Sequence, residues 1–260
     1  MSPLDDTGRP VPVPDRVRRV VSLVPSLTES VAATAPGLLV GATDWCTHPA
    51  DLDVARVKGT KNPDLERIAE LEPDVVLGNT EENRPADIEA MRAAGLAVWM
   101  TEIRTVDEAL ASLRRMLTEA CRVPAPEWLD EASRAWADLT PGPARSAVIP
   151  IWRKPWMVVG RDTFTGDVLS RLGVSNAYAG HPDRYPKIPL DELRAGIGPG
   201  GADLVVLPDE PYRFTEDDGP EAFPGVDVAL VDGRYLTWYG PSLAAAPSVL
   251  ARQLAAARPY

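Results

Sequence analysis

The feature that most constrains the fold is an alternation of short β-branched runs with amphipathic helical segments. Arg19–Val24 (RVVSLV) predicts a buried strand, and Ser26 with Glu29 has the spacing of a capping box that begins a helix. The same order returns in Asp64–Leu71, a predicted helix, and Asp74–Gly78, a predicted strand. Strands that alternate with helices predict βαβ units and a mostly parallel sheet with right-handed crossovers.

A break at Thr140–Pro143 separates two such series. Before it, Val106–Arg122 and Glu127–Leu139 have the apolar spacing of helices. The sequence therefore predicts an α/β fold of two lobes, each with a mostly parallel sheet flanked by helices, joined by a long backbone helix. The predicted domains are an extended N-terminal arm (1–17), an N-terminal α/β lobe (18–104), a helical connection (105–143) and a C-terminal α/β lobe (144–260).

The composition argues against several classes of function. A total of 27 Lys and Arg against 38 Asp and Glu gives a net charge of −11, whereas nucleic-acid binding needs clustered cations. No apolar run reaches the roughly 18–20 residues of a membrane-spanning helix. Two cysteines are too few for a disulfide scaffold. The first residues are acids and prolines and do not resemble a signal peptide, so we expect a cytoplasmic protein, exported only if the true start lies upstream.

The chain has seven tryptophans beside three phenylalanines, and their positions are informative. Four fall at strand ends or turns of both predicted lobes: Trp45, Trp152, Trp156 and Trp238. Because ligands of doubly wound sheets bind outside the carboxyl ends of the strands, these side chains predict an aromatic-walled cleft between the lobes. The alternative is that they only cover the lobe edges. Three others are predicted to pack internally: Trp99, Trp128 and Trp136.

Other motifs are weaker indicators of chemistry. Gly196–Gly201 has the glycine spacing of a dinucleotide-binding loop but precedes a strand, so it predicts a turn. Cys46 and His48 lack the further ligands that a metal site needs, and the alternative is a loop histidine beside a buried thiol. Polar loops around Glu82 and Tyr212 could hold amides or carboxylates of a ligand, or only cap their own loops.

The chain resembles class III substrate-binding proteins, the helical-backbone receptors for cobalamin and ferric siderophores. The matching segments are RVVSLVPSLTE, DWCTHP, KNPDLERIAELEPDVVLG and DGRYLTWYGPSL. The resemblance is closest to the cobalamin branch, since the zinc branch uses several histidines and this chain has two. It implies non-enzymatic binding of a metal chelate, cobalamin or another corrinoid first and a ferric siderophore or haem as the alternative. It implies no intrinsic cofactor.

The resemblance also implies roles for single positions. Trp45, Trp156 and Trp238 match aromatic positions that wall the corrin, whereas Thr60 stands where the cobalamin receptor has another tryptophan. Glu66 and Asp162 match the two positions at which the family carries acidic residues that dock onto the permease of an ABC importer. The residues expected to bind the ligand are Pro25, Ser26, Trp45, His48, Asn62, Asn79, Glu82, Arg84, Trp152, Trp156, Tyr212, Trp238 and Tyr239.

Two classes of function therefore remain open. In the first, a monomeric protein binds a small metal-chelate ligand and delivers it to an ABC permease, with His48 as a candidate axial ligand of cobalt. In the second, a cytoplasmic sensor or an enzyme is built on the receptor fold, and Cys46 and His48 are its reactive residues.

Overall fold

A computed structural model describes residues 2–260 and divides them into two compact units. Unit 1 holds the residues up to Ile103, Asp107–Glu131 and Tyr239–Pro241. Unit 2 holds Arg104–Val106, Ala132–Trp238 and Ser242–Tyr260. Within the described residues, no helix is both long enough and apolar enough to cross a membrane.

The elements of unit 1 in chain order are β1 (Val20–Ser22), α1 (Pro25–Thr34), β2 (Leu39–Ala42), β3 (Ala55–Arg56), β4 (Lys58–Gly59), β5 (Asn62–Pro63), α2 (Leu65–Glu70), β6 (Val75–Asn79), α3 (Pro85–Ala93), β7 (Val98–Thr101) and most of α4 (Val106–Arg115), which continues as a π-helical turn, Met116–Ala120. Within the described residues, its strands form a five-stranded parallel sheet in the order β3-β2-β1-β6-β7 and a separate β4–β5 hairpin. The strand order reverses between β1 and β6, and in such sheets this point lies beside the ligand site.

The elements of unit 2 in chain order are α5 (Glu127–Ala137, begun in unit 1), β8 (Arg145–Val148), β9 (Pro150–Trp152), β10 (Met157–Val158), α6 (Phe164–Arg171), β11 (Val174–Asn176), α7 (Leu190–Ala195), β12 (Leu204–Pro208), β13 (Asp227–Val231), α8 (Gly233–Thr237), α9 (Ala246–Ala255) and β14 (Arg258–Pro259). In the part of the chain that the structure describes, they include a second five-stranded sheet in the order β11-β8-β12-β13-β14. Its strands are parallel except β14, and β9 pairs with β10 as an antiparallel hairpin.

The inner strands β6 and β12 are buried on both faces of their sheets, which explains their apolar sequences. Val75, Val76 and Leu77 of β6 have no exposed surface, and neither have Val205 and Val206 of β12. Because neither face meets water, these strands read as continuous apolar runs without polar alternation. The predicted α/β class with mostly parallel sheets is confirmed.

The start of α1 differs from its prediction. The helix begins at Pro25, whose fixed φ and missing N–H suit a first turn, and the N-cap is Val24, which offers no capping side chain. Ser26 lies inside the first turn, so the predicted capping box of Ser26 and Glu29 is wrong. At α2, by contrast, the Asp64 side chain does cap the helix, accepting a hydrogen bond from the backbone N–H of Arg67 at 3.1 Å.

The N-terminal arm packs along the edge of the first sheet. The backbone N–H of Asp6 donates to Met100 O of β7 at 3.1 Å, and the Asp5 carboxylate accepts from Met100 N at 3.3 Å. Val11 and Val13 are buried in the same segment. The arm therefore covers the outer edge of β7, which an edge strand needs because its unpaired backbone groups would otherwise be exposed.

The glycine-rich segment Gly196–Gly201 forms the turn that its context predicts. Gly198 N donates to Ala202 O at 2.8 Å, and Gly201 N donates to Gly198 O at 2.9 Å. Gly198 adopts φ +121°, a conformation that L side chains rarely reach. The turn leads directly into β12, so it does not open a helix as a dinucleotide-binding loop would.

Candidate functional site

The candidate site of unit 1 lies in loops after the carboxyl ends of its parallel strands. Pro25 and Ser26 follow β1, Trp45 follows β2, and Glu82 follows β6. Parallel strands place their carboxyl ends at one edge of the sheet, so these loops share that edge.

Trp45 is an exposed side chain on a firmly held loop. Its exposed fraction is 67%, the largest of any tryptophan here. On one side Asp44 N donates to Lys58 O at 2.8 Å, and on the other Arg56 Nη1 donates to Cys46 O at 2.9 Å. A large apolar ring on a loop held in this way is a preorganised contact surface, because the loop itself loses little entropy when a ligand covers the ring.

Cys46 is part of that support and has no features of a reactive thiol. It is fully buried, and its Sγ lies 3.0 Å from Thr28 Oγ1 and 3.1 Å from Thr43 Oγ1. Burial raises its pKa, which keeps it in the unreactive neutral form. His48 is half-buried in the same loop, with Nδ1 3.2 Å from Thr47 Oγ1. This arrangement gives no support to a catalytic role for Cys46.

The β4–β5 hairpin connects the Trp45 loop to the loop after β6. A Cβ at Gly59 would lie 3.3 Å from Trp45 Nε1 and 2.5 Å from Asn62 Oδ1, so both side chains closely approach this glycine. Thr60 O accepts a hydrogen bond from Asn83 Nδ2 at 3.0 Å, and Lys61 Nζ donates to Glu81 O at 2.5 Å. This hairpin and the role of Lys61 were not predicted from the sequence, since strands of two residues have no periodic signal.

Asn79 supports the loop after β6 from inside the unit. Its backbone N–H donates to Asn83 Oδ1 at 2.8 Å, and its Oδ1 accepts from Glu81 N at 2.8 Å. Its Nδ2 donates to Thr101 Oγ1 at 3.1 Å. The side chain is 1% exposed and its amide groups are used within unit 1, so Asn79 orders residues 80–84.

Glu82 differs from its charged neighbours in that loop. Its side chain is half-buried, and within residues 2–260 its carboxylate oxygens form no hydrogen bond or ion pair. Burial raises the pKa of Glu82 to about 7, with a smaller contribution from Glu81, while Lys61 opposes the shift. Arg84, by contrast, is exposed and pairs with Asp87, with 2.9 Å between Nε and Oδ2. Glu82 is therefore a titratable group near neutral pH without a protein partner.

The amino end of α1 adds a buried hydroxyl. Ser26 is 3% exposed, and its Oγ has no hydrogen-bond partner in the described part of the chain, while Pro25 is half-buried. A Cβ at Gly240 would lie 3.2 Å from Ser26 O, so the segment Tyr239–Pro241 packs directly on α1. Tyr239 is buried within unit 1.

In unit 2, Trp152 and Tyr212 form an accessible aromatic pair. Trp152 ends β9 and is 42% exposed. Its ring meets the half-buried Tyr212 edge to face, with 5.6 Å between the ring centroids. Trp156 lies behind them, 9% exposed, stacked on Phe214 at 6.0 Å. Trp156 thus belongs to the core of unit 2, and its direct contact with a ligand stays a prediction.

Arg153 holds this aromatic group together and was missed at the sequence level. Its guanidinium lies 5.1 Å from the Trp156 ring centroid and forms ion pairs with Asp218 and with Glu221, the latter at 2.8 Å. Asp218 Oδ2 also accepts a hydrogen bond from Tyr212 OH at 2.6 Å, which lowers the pKa of Asp218 and raises that of Tyr212. The arginine between the two tryptophans of WRKPW was the available signal.

Trp238 is also buried, with 8% of its surface exposed. Its indole Nε1 donates to Glu210 Oε2 at 2.8 Å, and burial raises the pKa of Glu210. Glu210 follows β12 and Trp238 follows α8, so this bond joins two loops of unit 2. Its predicted ligand contact stays a prediction.

The two predicted docking acids are both exposed. Glu66 lies in the first turn of α2. Asp162 has φ +50°, and its backbone carbonyl accepts hydrogen bonds from Arg184, with 2.7 Å to Nη2. Over residues 2–260, no group of three or more His, Cys, Asp or Glu side chains is arranged to hold a metal ion.

Three known proteins show which fold this is. The vitamin B12-binding protein of Pectobacterium carotovorum is 24% identical over 93% of this chain and 90% of its own length. The structure of the periplasmic vitamin B12-binding protein of Vibrio cholerae has a TM-score of 0.71 and 18% identity, covering 92% of this chain and 97% of its own. A periplasmic haem-binding protein of Pseudomonas aeruginosa has a TM-score of 0.71 and 22% identity, covering 94% and 95%.

The fold is that of the class III substrate-binding proteins. No family model matches the chain. The similarity to these substrate-binding proteins extends over almost the whole length of this chain and of the proteins compared with it, so it includes both units. The predicted resemblance is confirmed at the level of the fold.

The expected cytoplasmic location is wrong. The substrate-binding proteins of Vibrio cholerae and Pseudomonas aeruginosa are both named as periplasmic. The expectation used only the composition of the first residues, which is a weaker indicator than similarity over nearly the whole chain.

Proposed function

We propose that the protein binds a large metal chelate, a corrinoid first, and releases it chemically unchanged. The observation that carries the proposal is Trp45, a 67% exposed indole on a loop clamped at Asp44 and Cys46. The exposed indole offers a flat apolar face, and a flat macrocycle would provide the matching face.

Unit 2 supports the same proposal independently. Trp152 is 42% exposed, and Tyr212 meets its ring edge to face. Arg153 anchors the hairpin through Asp218 and Glu221, which fixes the position of the exposed ring. Aromatic side chains with few polar groups around them are typical of sites for large, mostly apolar ligands.

The named relatives support the class of ligand. Those of Pectobacterium carotovorum and Vibrio cholerae are named for vitamin B12, and that of Pseudomonas aeruginosa for haem. Each name describes binding of a small molecule and none describes a reaction, so we infer a non-enzymatic protein that acts outside the cytoplasmic membrane. The relatives named for vitamin B12 favour a corrinoid over haem or a ferric siderophore.

A titration of the purified protein tests this function. We expect cyanocobalamin or dicyanocobinamide to quench tryptophan fluorescence with a dissociation constant of about 1 µM or lower, since a well-covered flat ligand supplies about 8 kcal/mol or more. Haemin and a ferric siderophore serve as competing ligands in parallel titrations. If none of the four quenches the fluorescence or is retained on gel filtration, the proposed function is wrong.

We propose further that the loaded protein delivers its ligand to an ABC permease through Glu66 and Asp162. Both carboxylates are exposed, one in each unit. An exposed acid can meet an arginine of a partner at small desolvation cost, and such pairs govern association more than folding.

Charge reversal tests this docking. In the double variant Glu66→Lys/Asp162→Lys, we expect uptake of labelled ligand by the native host to fall at least about tenfold, because two attractive pairs become repulsive. The affinity for the ligand should stay within about twofold, since both acids are exposed and, among the described residues, neither forms a hydrogen bond with Trp45, Trp152 or Tyr212. Glu70→Lys, one turn further along α2, is the matched control and should leave uptake unchanged. Normal uptake in the double variant would contradict the docking role.

A further inference from the structure

Glu82 is a half-buried acid whose carboxyl group the described part of the protein leaves unpaired. Within the described residues it has no hydrogen-bond or ion-pair partner, although it is half-buried. Partial burial disfavours the charged form of such a group, and a ligand group that pairs with the carboxyl group would offset that cost. Burial is also what raises the pKa of Glu82 to about 7.

The backbone around Glu82 is held by hydrogen bonds of the residues on either side of it. Asn79 Oδ1 accepts from Glu81 N at 2.8 Å, and Lys61 Nζ donates to Glu81 O at 2.5 Å. Asn83 is tied to Thr60 O at 3.0 Å. These bonds lie on both sides of Glu82 and none of them uses its carboxylate. The loop thus presents an acid group without satisfying it, which is the arrangement of a binding group.

The same hairpin joins this acid to the exposed indole of Trp45. Gly59 lies against Trp45 Nε1, and Thr60 and Lys61 follow it at the hairpin turn. The hairpin thus contacts both the Trp45 loop and the loop of Glu82. A ligand that covered the Trp45 ring would meet the neighbouring loop of Glu82 with its periphery.

We propose that the Glu82 carboxyl group binds a carboxamide on the ligand periphery and excludes an ionised carboxylate. This inference rests on the proposed function. A protonated carboxyl group has one donor and one acceptor, as the edge of a primary amide does, so the two form a complementary pair of hydrogen bonds. A carboxylate offers acceptors only and carries the same charge as ionised Glu82. Amide-bearing corrinoids thus fit this position, and haem, with its two propionates, does not.

The charged groups that act on Glu82 set the sign of the pH dependence. Lys61 favours its ionised form and Glu81 the protonated form, while burial, the largest effect, favours the protonated form. The carboxyl group is mostly protonated below pH 7 and mostly ionised above it. Affinity for an amide-bearing ligand should therefore be full at pH 6 and fall through pH 7–8.

Two ligands with the same corrin ring test the proposal. Dicyanocobinamide carries amides at its periphery, and dicyanocobyrinic acid carries carboxylates in their place. We expect wild-type protein to prefer the amide ligand by about 100-fold at pH 8, and Glu82→Gln to reduce that preference at least about tenfold, since the glutamine removes the like charge. Glu81→Gln, a matched loss of charge one residue away, should change the preference less than about threefold.

The pH profile provides the second measurement. For the wild type we expect the affinity for dicyanocobinamide to fall about tenfold between pH 6 and 8.5, and for Glu82→Gln we expect it to stay constant. An unchanged preference and an unchanged pH profile in a folded Glu82→Gln protein that still binds the corrin would overturn this inference and leave the proposed function standing. Binding of neither corrinoid by the wild type would overturn both.

Discussion

Replacing Trp45 by alanine is expected to weaken ligand binding about 30- to 100-fold while leaving the fold unchanged. The indole is 67% exposed, so its removal takes away little buried surface of the free protein. In the complex it would be covered by the macrocycle, and aromatic side chains at the centre of an interface contribute about 2 kcal/mol or more. The effect should appear mainly as faster dissociation.

Fluorescence titration and calorimetry can measure this loss, with two control variants. Trp45→Phe keeps an aromatic face and should recover most of the affinity, about tenfold relative to Trp45→Ala. Tyr185→Ala removes another exposed aromatic ring, 37% exposed in unit 2, and should change the affinity less than about threefold. Urea unfolding should place Trp45→Ala within about 0.5 kcal/mol of the wild type. Wild-type affinity in Trp45→Ala would exclude this loop from the site.

The fold was largely predictable because its strands carry a local signal. Val75–Asn79 and Leu204–Pro208 are apolar runs bounded by polar turns, and burial on both faces of a parallel sheet requires that pattern. The hairpin of Lys58–Gly59 and Asn62–Pro63 has no such signal. Its strands are two residues long, and its contacts with Glu81 and Asn83 join residues about twenty positions apart.

The candidate site was predictable only in part. The sequence predicts that Trp45 and Trp156 both lie at strand ends or turns. In the structure Trp45 is exposed, whereas Trp156 is buried. The difference comes from Phe214 and Phe223, which pack on Trp156 from nearly sixty residues or more away. The unusual protonation of Glu82 likewise depends on burial, which no local pattern reveals.

The N-terminal arm is a further case in which burial depends on residues far away in the sequence. Its prolines and acids predict an extended arm, and nothing in that pattern indicates that Asp5 is buried. Burial of the Asp5 carboxylate is compensated by Met100 N and Arg92 Nη2, partners that lie about ninety residues away along the chain. Without such partners, an acidic residue is expected on the surface.

Asp5→Ala is accordingly expected to lower the free energy of unfolding by about 2–4 kcal/mol, since it removes one partner of a buried ion pair and several hydrogen bonds at once. The Asp5 side chain has no exposed surface, and Arg92 Nη2 lies 3.1 Å away. Its other oxygen accepts from Thr7 N and Arg9 N, both at 3.0 Å. Without the carboxylate, Met100 N at the covered edge of β7 and the Arg92 guanidinium would lose an acceptor.

Equilibrium unfolding in urea measures this change, and Asp130→Ala is its control. Asp130 also pairs with an arginine, Arg114, at 2.6 Å, but both side chains are largely exposed. Water and salt screen such a pair, so the control should lose less than about 1 kcal/mol. Asp5→Asn keeps an oxygen acceptor for the N–H groups of Thr7 and Arg9. Its loss of unfolding free energy should lie between those of Asp5→Ala and Asp130→Ala. Equal losses in Asp5→Ala and Asp130→Ala would mean that the arm does not stabilise the edge of the sheet; the larger loss in Asp5→Ala would identify the arm as a structural part of unit 1.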